Sequence, residues 1–355
     1  MAKNANGSSA DSITGYSHSI GFGKTGGRFI YNISQELVND HYIISDLGFF
    51  RTKNYLDHYL YAGYRWTKPG KWYNNFRINY NAGYSRTLKG NQYQSFFTNI
   101  NANGQLKNLW YVGGFIGYNP EANDFYEAQT GGNTLFRTTR RVIGELWFET
   151  NNAKKYSGGA SFNGSHHERF KGRSYYVGVW HKYRFSDKFS VSHEVSYQPF
   201  KNGHGFDGRD SVYTVFALRD RQTIENELEA KYSFNNKSGI RLRILHYWSE
   251  VDKKDYYDLK KDGSLGAYNP RPVYDRRDLT YNQFLLFAEY TLQFAPGSFI
   301  NVVWKNENTN DSREANHRYF KNLNHTLESP HSNNLSLRII YFLDYLDLKK
   351  WRKKK

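Results

Sequence analysis

From Leu335 to Tyr345 the chain places an apolar or aromatic side chain at every odd-numbered position, while Ser336, Arg338 and Asp344 fall on even-numbered ones. A period of two is the signature of a strand with one greasy and one wet side. Phe76, Ile78, Tyr80, Ala82 and Tyr84 alternate in the same way with Arg77, Asn79, Asn81, Gly83 and Ser85, and Leu228, Ala230, Tyr232 and Phe234 with Glu227, Glu229, Lys231 and Ser233. Two-faced strands repeated along nearly the whole chain predict an all-β protein: an antiparallel up-and-down transmembrane β-barrel, its outer side in lipid and its inner side in water.

The alternation predicts about fifteen strands, at 14–24, 28–37, 55–66, 72–86, 93–106, 109–119, 139–150, 156–165, 174–185, 189–198, 211–234, 239–251, 279–294, 299–305 and 333–346. Tight turns at 24–27, 67–71, 106–109, 151–155, 186–188, 235–238 and 295–298 alternate with longer polar connections at 38–54, 120–138, 165–173, 199–210, 252–278 and 306–332, and a shorter one near 87–92. In outer-membrane barrels the tight rim is periplasmic and the elaborate rim extracellular. Counting back from a last strand that ends at the tight rim leaves the first strand starting at the other rim, whereas a single-chain bacterial barrel has an even count. The chain is therefore expected to be the C-terminal part of a larger even-stranded barrel with at least one strand upstream. Splitting 211–234 at Asp220 gives an even count but breaks the short and long alternation. The expected organisation is a flexible segment at 1–13, the barrel at 14–346 and a basic tail at 347–355.

Composition sharpens this. The chain is only 38% hydrophobic, with mean hydropathy −0.82, yet it holds 31 Tyr, 25 Phe and 8 Trp. A soluble β protein of this size needs more Val, Ile and Leu inside; a barrel needs a thin apolar band between aromatic girdles. A propeller or sandwich remains open as a soluble alternative if another layer covers the aromatic faces. Residues 1–9 hold no signal-peptide core and no run of about 18 apolar residues is present, so an exported barrel is expected here as a mature or truncated form. The absence of cysteine excludes disulfides, thiolate metal sites and a cysteine nucleophile. A net charge of +16 fits an anionic partner. No helix-based DNA-binding motif is present, and the one dense cluster, Lys349, Lys350 and Arg352 to Lys355, reads as a tail beside anionic lipid and lipopolysaccharide headgroups. Nucleic acid is not an expected partner.

Projecting the strands puts Arg77, Glu145, Glu149, Lys182, Arg184, Glu194, Arg219, Arg221, Glu225, Glu227, Glu229, Arg241, Arg243, Glu289, Arg338 and Asp344 on the lumen side. Both signs on successive strands fit either a cross-strand ion-pair lattice or a charged pore lining. Tyr256, Tyr257, Tyr268 and Tyr274, mixed with charges in the predicted loop 252–278, are candidate ligand contacts, with a self-packed cap as the alternative.

Three stretches carry a resemblance: Ala217 to Asn226 (Ala-Leu-Arg-Asp-Arg-Gln-Thr-Ile-Glu-Asn), Tyr232 to Gly239 (Tyr-Ser-Phe-Asn-Asn-Lys-Ser-Gly) and Leu245 to Asp252 (Leu-His-Tyr-Trp-Ser-Glu-Val-Asp). Matching stretches at 45–50, 104–110, 183–190, 294–298, 303–305 and 342–350 spread it over nearly the whole chain. The sequence resembles the C-terminal barrel of Bacteroidetes outer-membrane proteins in the domain-of-unknown-function family 5916. The resemblance implies an outer-membrane location and, in a full-length protein, a signal peptide and an upstream domain similar to family 9 carbohydrate-binding modules. Neither is recognisable in this sequence, so sugar binding is carried onto none of its residues.

Candidate catalysis is thin. His166, His167 and Glu168, and separately His204, lack paired spacing for zinc, and Asp207 and Asp210 lack the full ligand series of a calcium loop. Ser165 beside His166 and Ser332 beside His331 are neighbours that a strand points to opposite faces. The glycine-rich run 21–27 lacks phosphate-loop spacing and reads as a hairpin turn. No cofactor or metal is expected. The function expected is a channel, import component or surface platform for polar solutes or glycans, with a sealed membrane anchor or scaffold and an outer-membrane hydrolase as alternatives.

Overall fold

The two-residue period is realised as strands over most of the described residues. The computed structural model of the protein describes residues 14–42, 52–128, 134–209, 212–268, 278–312 and 318–345. Their strands are β1 (Ser17–Lys24), β2 (Phe29–Val38), β3 (Tyr55–Trp66), β4 (Tyr73–Arg86), β5 (Tyr93–Leu106), β6 (Tyr111–Asn119), β7 (Ala122–Asp124), β8 (Phe136–Thr138), β9 (Arg141–Glu149) and β10 (Tyr156–His167). There follow β11 (Gly172–Arg184), β12 (Phe189–Arg209), β13 (Thr214–Asn235), β14 (Ser238–Leu259), β15 (Leu265–Ala267), β16 (Leu279–Ala295), β17 (Ser298–Ser312), the helix α1 (Tyr319–Glu328) and β18 (Ser332–Ile340).

One antiparallel sheet holds sixteen of these strands. Fifteen follow one another along the path β1-β2-β3-β4-β5-β6-β9-β10-β11-β12-β13-β14-β16-β17-β18, the number and order that the alternation predicts, and β15 pairs beside the upper end of β14. Between β6 and β9, β7 and β8 form a separate hairpin. Among the described residues β1 pairs only with β2 and β18 only with β17, so the sheet has two open edges and is not closed on itself. The tight turns are where the sequence puts them; Gly27 and Gly297 take φ of +82° and +72°, which other residues adopt only under strain.

The long connections are less loop-like than predicted. β12 continues through 199–209 instead of stopping at 198, because Asn202 takes a left-handed φ of 52°, absorbs a bulge, and donates its backbone N–H to Asp220 Oδ1 at 2.7 Å. β14 runs on to Leu259 and β17 to Ser312, and the expected loop 165–173 shrinks to a turn between His167 and Gly172. α1 occupies part of the expected loop 306–332, and β18 stops at Ile340, so Asp344 lies beyond the strand on which it was expected. At about 3.3 Å per residue, the extra ten or so residues of β12, β13 and β14 project roughly 30 Å past their neighbours.

The sheet is inside out by the standards of a water-soluble protein. Register places Ile20, Ile33, Leu60, Ile78, Ile100, Ile116, Leu146, Phe162, Leu228, Ile240 and Leu337 on one continuous face, where Leu146 is 70% exposed and Ile116 61%. No second sheet covers that face among the described residues. The buried wall positions on the other face are polar, including Asn81, Ser157, Ser196 and Thr223. Buried hydrophobic residues such as Val38, Leu56, Phe136, Phe216 and Trp248 all lie toward the rim of the long connections. Around the tight-turn rim the apolar face carries touching rings: Trp66 and Phe76 at 5.6 Å, Trp110 and Phe148 at 5.7 Å, Phe185 and Phe189 at 4.9 Å.

On β14 and its neighbours the apolar face changes character part-way up. Ile240, Leu242 and Ile244 give way to His246, Trp248 and Glu250 on the same side, flanked by Asn282 and Asn308. α1 lies over this polar patch: the Tyr319 hydroxyl accepts from Asn226 Nδ2 at 2.6 Å and meets His246 Nδ1 at 2.9 Å. Asn322 and Thr326 are its buried residues, while Phe320 and Leu327 are exposed. α1, β16 and β14 thus mark a level at which a bare apolar wall becomes a covered polar one. Among the described residues no helix is long and apolar enough to cross a membrane, a statement that does not bear on strands.

Candidate functional site: a charged wall and a capped rim cavity

Cross-strand register puts the predicted charges on the polar face. Arg77 lies opposite Asn103, Glu145 opposite Asn163, Lys182 opposite Ser192, Arg184 opposite Ser190, Glu194 opposite Glu227, Glu225 opposite Ser196, Arg221 opposite Phe200, Glu289 opposite Arg241 and Arg338 opposite Asn301. Some are tied together. Arg243 reaches Glu227 with Nε and Nη2 at 2.7 and 2.6 Å; Glu229 takes Arg241 Nε at 2.5 Å and Lys231 Nζ at 2.6 Å. Arg77 Nε donates to Asn103 Oδ1 at 2.8 Å, and Arg184 Nη2 to the Asn152 carbonyl at 3.0 Å. Glu145, Lys182, Glu194, Arg221, Glu225, Glu289 and Arg338 form no ion pair among the described residues. The face therefore carries an ion-pair lattice at Arg243–Glu227 and Arg241–Glu229–Lys231, and charge of both signs outside it, on β13 itself and on other strands.

The tyrosines expected in a loop are placed differently. Tyr256 and Tyr257 stand on β14, and Tyr256 is buried at 4% exposure with Val215 and Ala217, Tyr213 and Tyr268 packing against them. Tyr257 touches the ring of Phe170 at 4.8 Å. Packing thus takes up Tyr256, Tyr257 and Tyr268, because β14 extends through what reads as a loop; Tyr274 lies outside the described residues. Asp207, weighed as a calcium ligand, pairs instead with Lys253 at 2.9 Å; Asp210 lies outside the described residues. Ser165 meets His167, two residues on and on the same face, at 3.0 Å, and Ser174 at 2.6 Å; no carboxylate among the described residues is bonded to His167. Among the described residues no group of three His, Asp or Glu is placed to hold a metal ion.

At the long-connection rim the β7–β8 hairpin folds onto the extended strands. Phe136 stacks on Phe216 at 4.5 Å and meets His204 at 5.8 Å, while the Arg137 N–H donates to the Gly263 carbonyl at 2.9 Å. The turn after β10 is clamped to the same hairpin: Glu168 accepts both Nε and Nη2 of Arg140 at 3.0 and 2.6 Å, and Thr139 Oγ1 accepts the Arg169 N–H. Arg140 holds the Glu168 carboxyl below the usual carboxylate range. Phe170 and Lys171 both adopt left-handed φ, 55° and 51°, which swings Arg169 over the Phe136 ring at 5.1 Å. Beneath the hairpin lies a cavity of about 310 Å³ lined by Arg141, His167, Phe200, His204, Phe136 and Asp124, among others. Burial, followed by the nearby Arg169 charge, lowers the His204 pKa to about 4.

The model of a family described as a domain of unknown function (DUF5916) matches residues 1–352. The chain belongs to that family. No curated protein matches it. In this DUF5916 chain strand alternation marks the wall charges, but it does not mark Arg141, Arg169 or Phe136. Their only signal is local: a basic pair, Arg140 and Arg141, closing the polar connection before β9.

Proposed function

We propose that this DUF5916 chain forms the wall of an outer-membrane β-barrel whose polar face lines an aqueous interior, so that it passes or holds polar solutes by passive binding and permeation. The observation that carries this reading is the exposure of a continuous apolar face on a sheet whose buried wall residues are polar. In water that arrangement wastes the hydrophobic effect; in hydrocarbon the ladder satisfies the backbone groups of the strands between the two edges and puts apolar side chains against lipid. The aromatic belt on the tight-turn rim and the shift to covered polar residues beneath α1 bound the apolar band on two sides. Unpaired charges of both signs on the polar face favour a wet interior over a dry one, since a dry interior would leave them desolvated.

A sealed anchor is the second reading, favoured by the Arg243–Glu227 and Arg241–Glu229–Lys231 lattice and by the β7–β8 cap. Because the chain has no cysteine, single cysteines can be placed at will. A fluorophore at Leu146 or Ile116 should be quenched by brominated lipid chains and one at Asn81 or Ser196 by an aqueous quencher. Equal aqueous quenching at all four positions would sink the membrane reading; lipid quenching with no single-channel conductance would favour the anchor.

A further inference from the structure

The β7–β8 hairpin lies on the polar face of the sheet. The floor of the cavity beneath it includes Ser95, Asn119, Arg141, His167 and Phe200. Register sets Asn119 opposite Arg141, Arg141 opposite His167 and Phe200 opposite Arg221, on the side that carries Glu145 and the other wall charges. The hairpin is not needed to connect its neighbours. β6 and β9 are adjacent and paired as far as Asn119 and Arg141, so a two-residue turn would join them. The chain spends residues 120–140 there instead.

The contacts of this segment reach two distant parts of the sheet. On one side the Tyr126 hydroxyl donates to the Lys53 carbonyl and accepts the Lys53 N–H at 3.0 Å, just ahead of β3, while Asn123 Nδ2 donates to the Tyr93 carbonyl of β5 at 2.8 Å. On the other, Glu127 Oε1 accepts the Phe206 N–H of β12 at 3.1 Å, the Ala128 carbonyl accepts Arg209 Nη2 at 3.0 Å, and the Arg137 N–H donates to the Gly263 carbonyl between β14 and β15. β3 and β14 are nine strand spacings apart along the sheet, roughly 43 Å at about 4.8 Å each. Yet Asp124 pairs with Phe136, and the hairpin's own dimensions then hold Lys53 and Gly263 within about 28 Å of each other. The sheet therefore curls here with its polar face inward, and the hairpin crosses the hollow as a chord. The crossing piece is internally braced: Asp124 Oδ1 accepts the Tyr126 and Glu127 N–H groups at 2.7 and 2.8 Å. It is also closely seated, since Gly263, at a φ of +84°, has no room for a side chain beside Leu135.

We propose that the β7–β8 hairpin is a strap that closes the lumen at the long-connection rim, so that polar solutes pass only when it leaves its anchors on β12 and β14. A segment tied to both sides of a channel narrows it whatever lines the wall below. The strap rests on the reading of the polar face as an aqueous interior, and it names the element that decides whether that interior is open.

The test compares the full chain with two variants in planar bilayers and vesicles. The first replaces 120–140 by Asn-Gly, a turn that suits the Asn119–Arg141 pair and leaves the β6–β9 ladder intact. The second, Tyr126→Phe with Glu127→Ala, keeps the strap and removes one tie on each side. Strap removal should raise single-channel conductance about 3-fold or more and admit raffinose in vesicle swelling where the parent excludes it. The double variant should switch between closed and open levels more often than the parent. Lipid quenching at Leu146 is measured in each protein. If Leu146 is quenched and neither variant changes conductance or raffinose entry, the strap proposal is overturned and the wall reading stands. If Leu146 of the parent is not quenched by lipid, the wall reading fails and the strap falls with it. Should the strap-less chain fail to fold, the double variant decides, and unchanged gating there overturns the proposal.

Discussion

Glu227 faces two residues of opposite consequence: Arg243 grips it from β14 with two hydrogen bonds of 2.7 and 2.6 Å, while Glu194 lies directly across from it on β12. The guanidinium, on the far side of Glu227 from Glu194, therefore stabilises its partner and offsets the repulsion between the two like charges. Arg243→Gln should cost about 1–3 kcal/mol in denaturant unfolding, because it removes charge-assisted bonds and leaves Glu194 and Glu227 opposed. Glu227→Gln should cost less, since it relieves that repulsion while breaking the same fork. Equal losses for the two variants would show that the Glu194 contact carries no weight.

Leu146 and Glu145 are chain neighbours on opposite faces of β9, and the proposed membrane setting gives them unequal sensitivities. In lipid, Leu146→Arg should lower stability by about 2–4 kcal/mol, whereas Glu145→Ala should be nearly neutral. On a protein surface in water the 70%-exposed Leu146 would accept arginine at no cost. Unfolding from bilayers of the two variants and the parent reads this directly.

Tyr319 fastens α1 to the wall through one hydroxyl shared by Asn226 and His246. Tyr319→Phe keeps the ring contacts and deletes both bonds, leaving buried polar groups without that partner. We expect α1 to loosen by about 1–3 kcal/mol, seen as faster amide exchange across 319–328 with exchange in β14 unchanged.

Acid should loosen the rim cap. His204 titrates near 4 in the folded protein and at 6.5 when free, because it is buried and faces Arg169, His167 and Arg219. Between those values the unfolded cap binds a proton that the folded cap refuses, so stability rises with pH across the window and is lost as pH falls through it. His167, also lowered to about 4 by burial and Arg141, acts in the same sense. Exchange in the β7–β8 hairpin, corrected for intrinsic rates, should be faster at about pH 4.5 than at about pH 7. His204→Gln should flatten about half of that difference, His167 supplying the rest; an unchanged slope would remove His204 as a source.

The wall was readable because alternation is local: one glance along 227–234 assigns a face to each residue, and register then aligns neighbouring strands. What stayed hidden depends on contacts distant in sequence. The bulge at Asn202 needs Asp220 from the next strand, and without it residues 199–209 look like a polar loop rather than strand. Tyr256 looked like a loop aromatic because the packing of Val215 and Ala217 around it is set by β13. α1 carries Phe320, Leu323 and Leu327 at helical spacing, but the side it buries is Asn322 and Thr326, so the usual rule that the apolar stripe faces inward misleads. The cavity combines residues of β5, β6, β7, β8, β9, β10 and β12, a combination no single stretch of sequence displays.

That inverted helix has a mechanical consequence. Below α1 the wall is smooth and greasy; at α1 a ledge juts from it, polar underneath and carrying exposed Phe320 and Leu327 on its outer side. A body of that profile cannot slide freely through a hydrocarbon slab, because sinking further would drag His246, Glu250 and Asn308 into oil, and rising would lift the apolar band into water. On the membrane reading proposed above, the ledge is a float line that fixes how deep the wall rides.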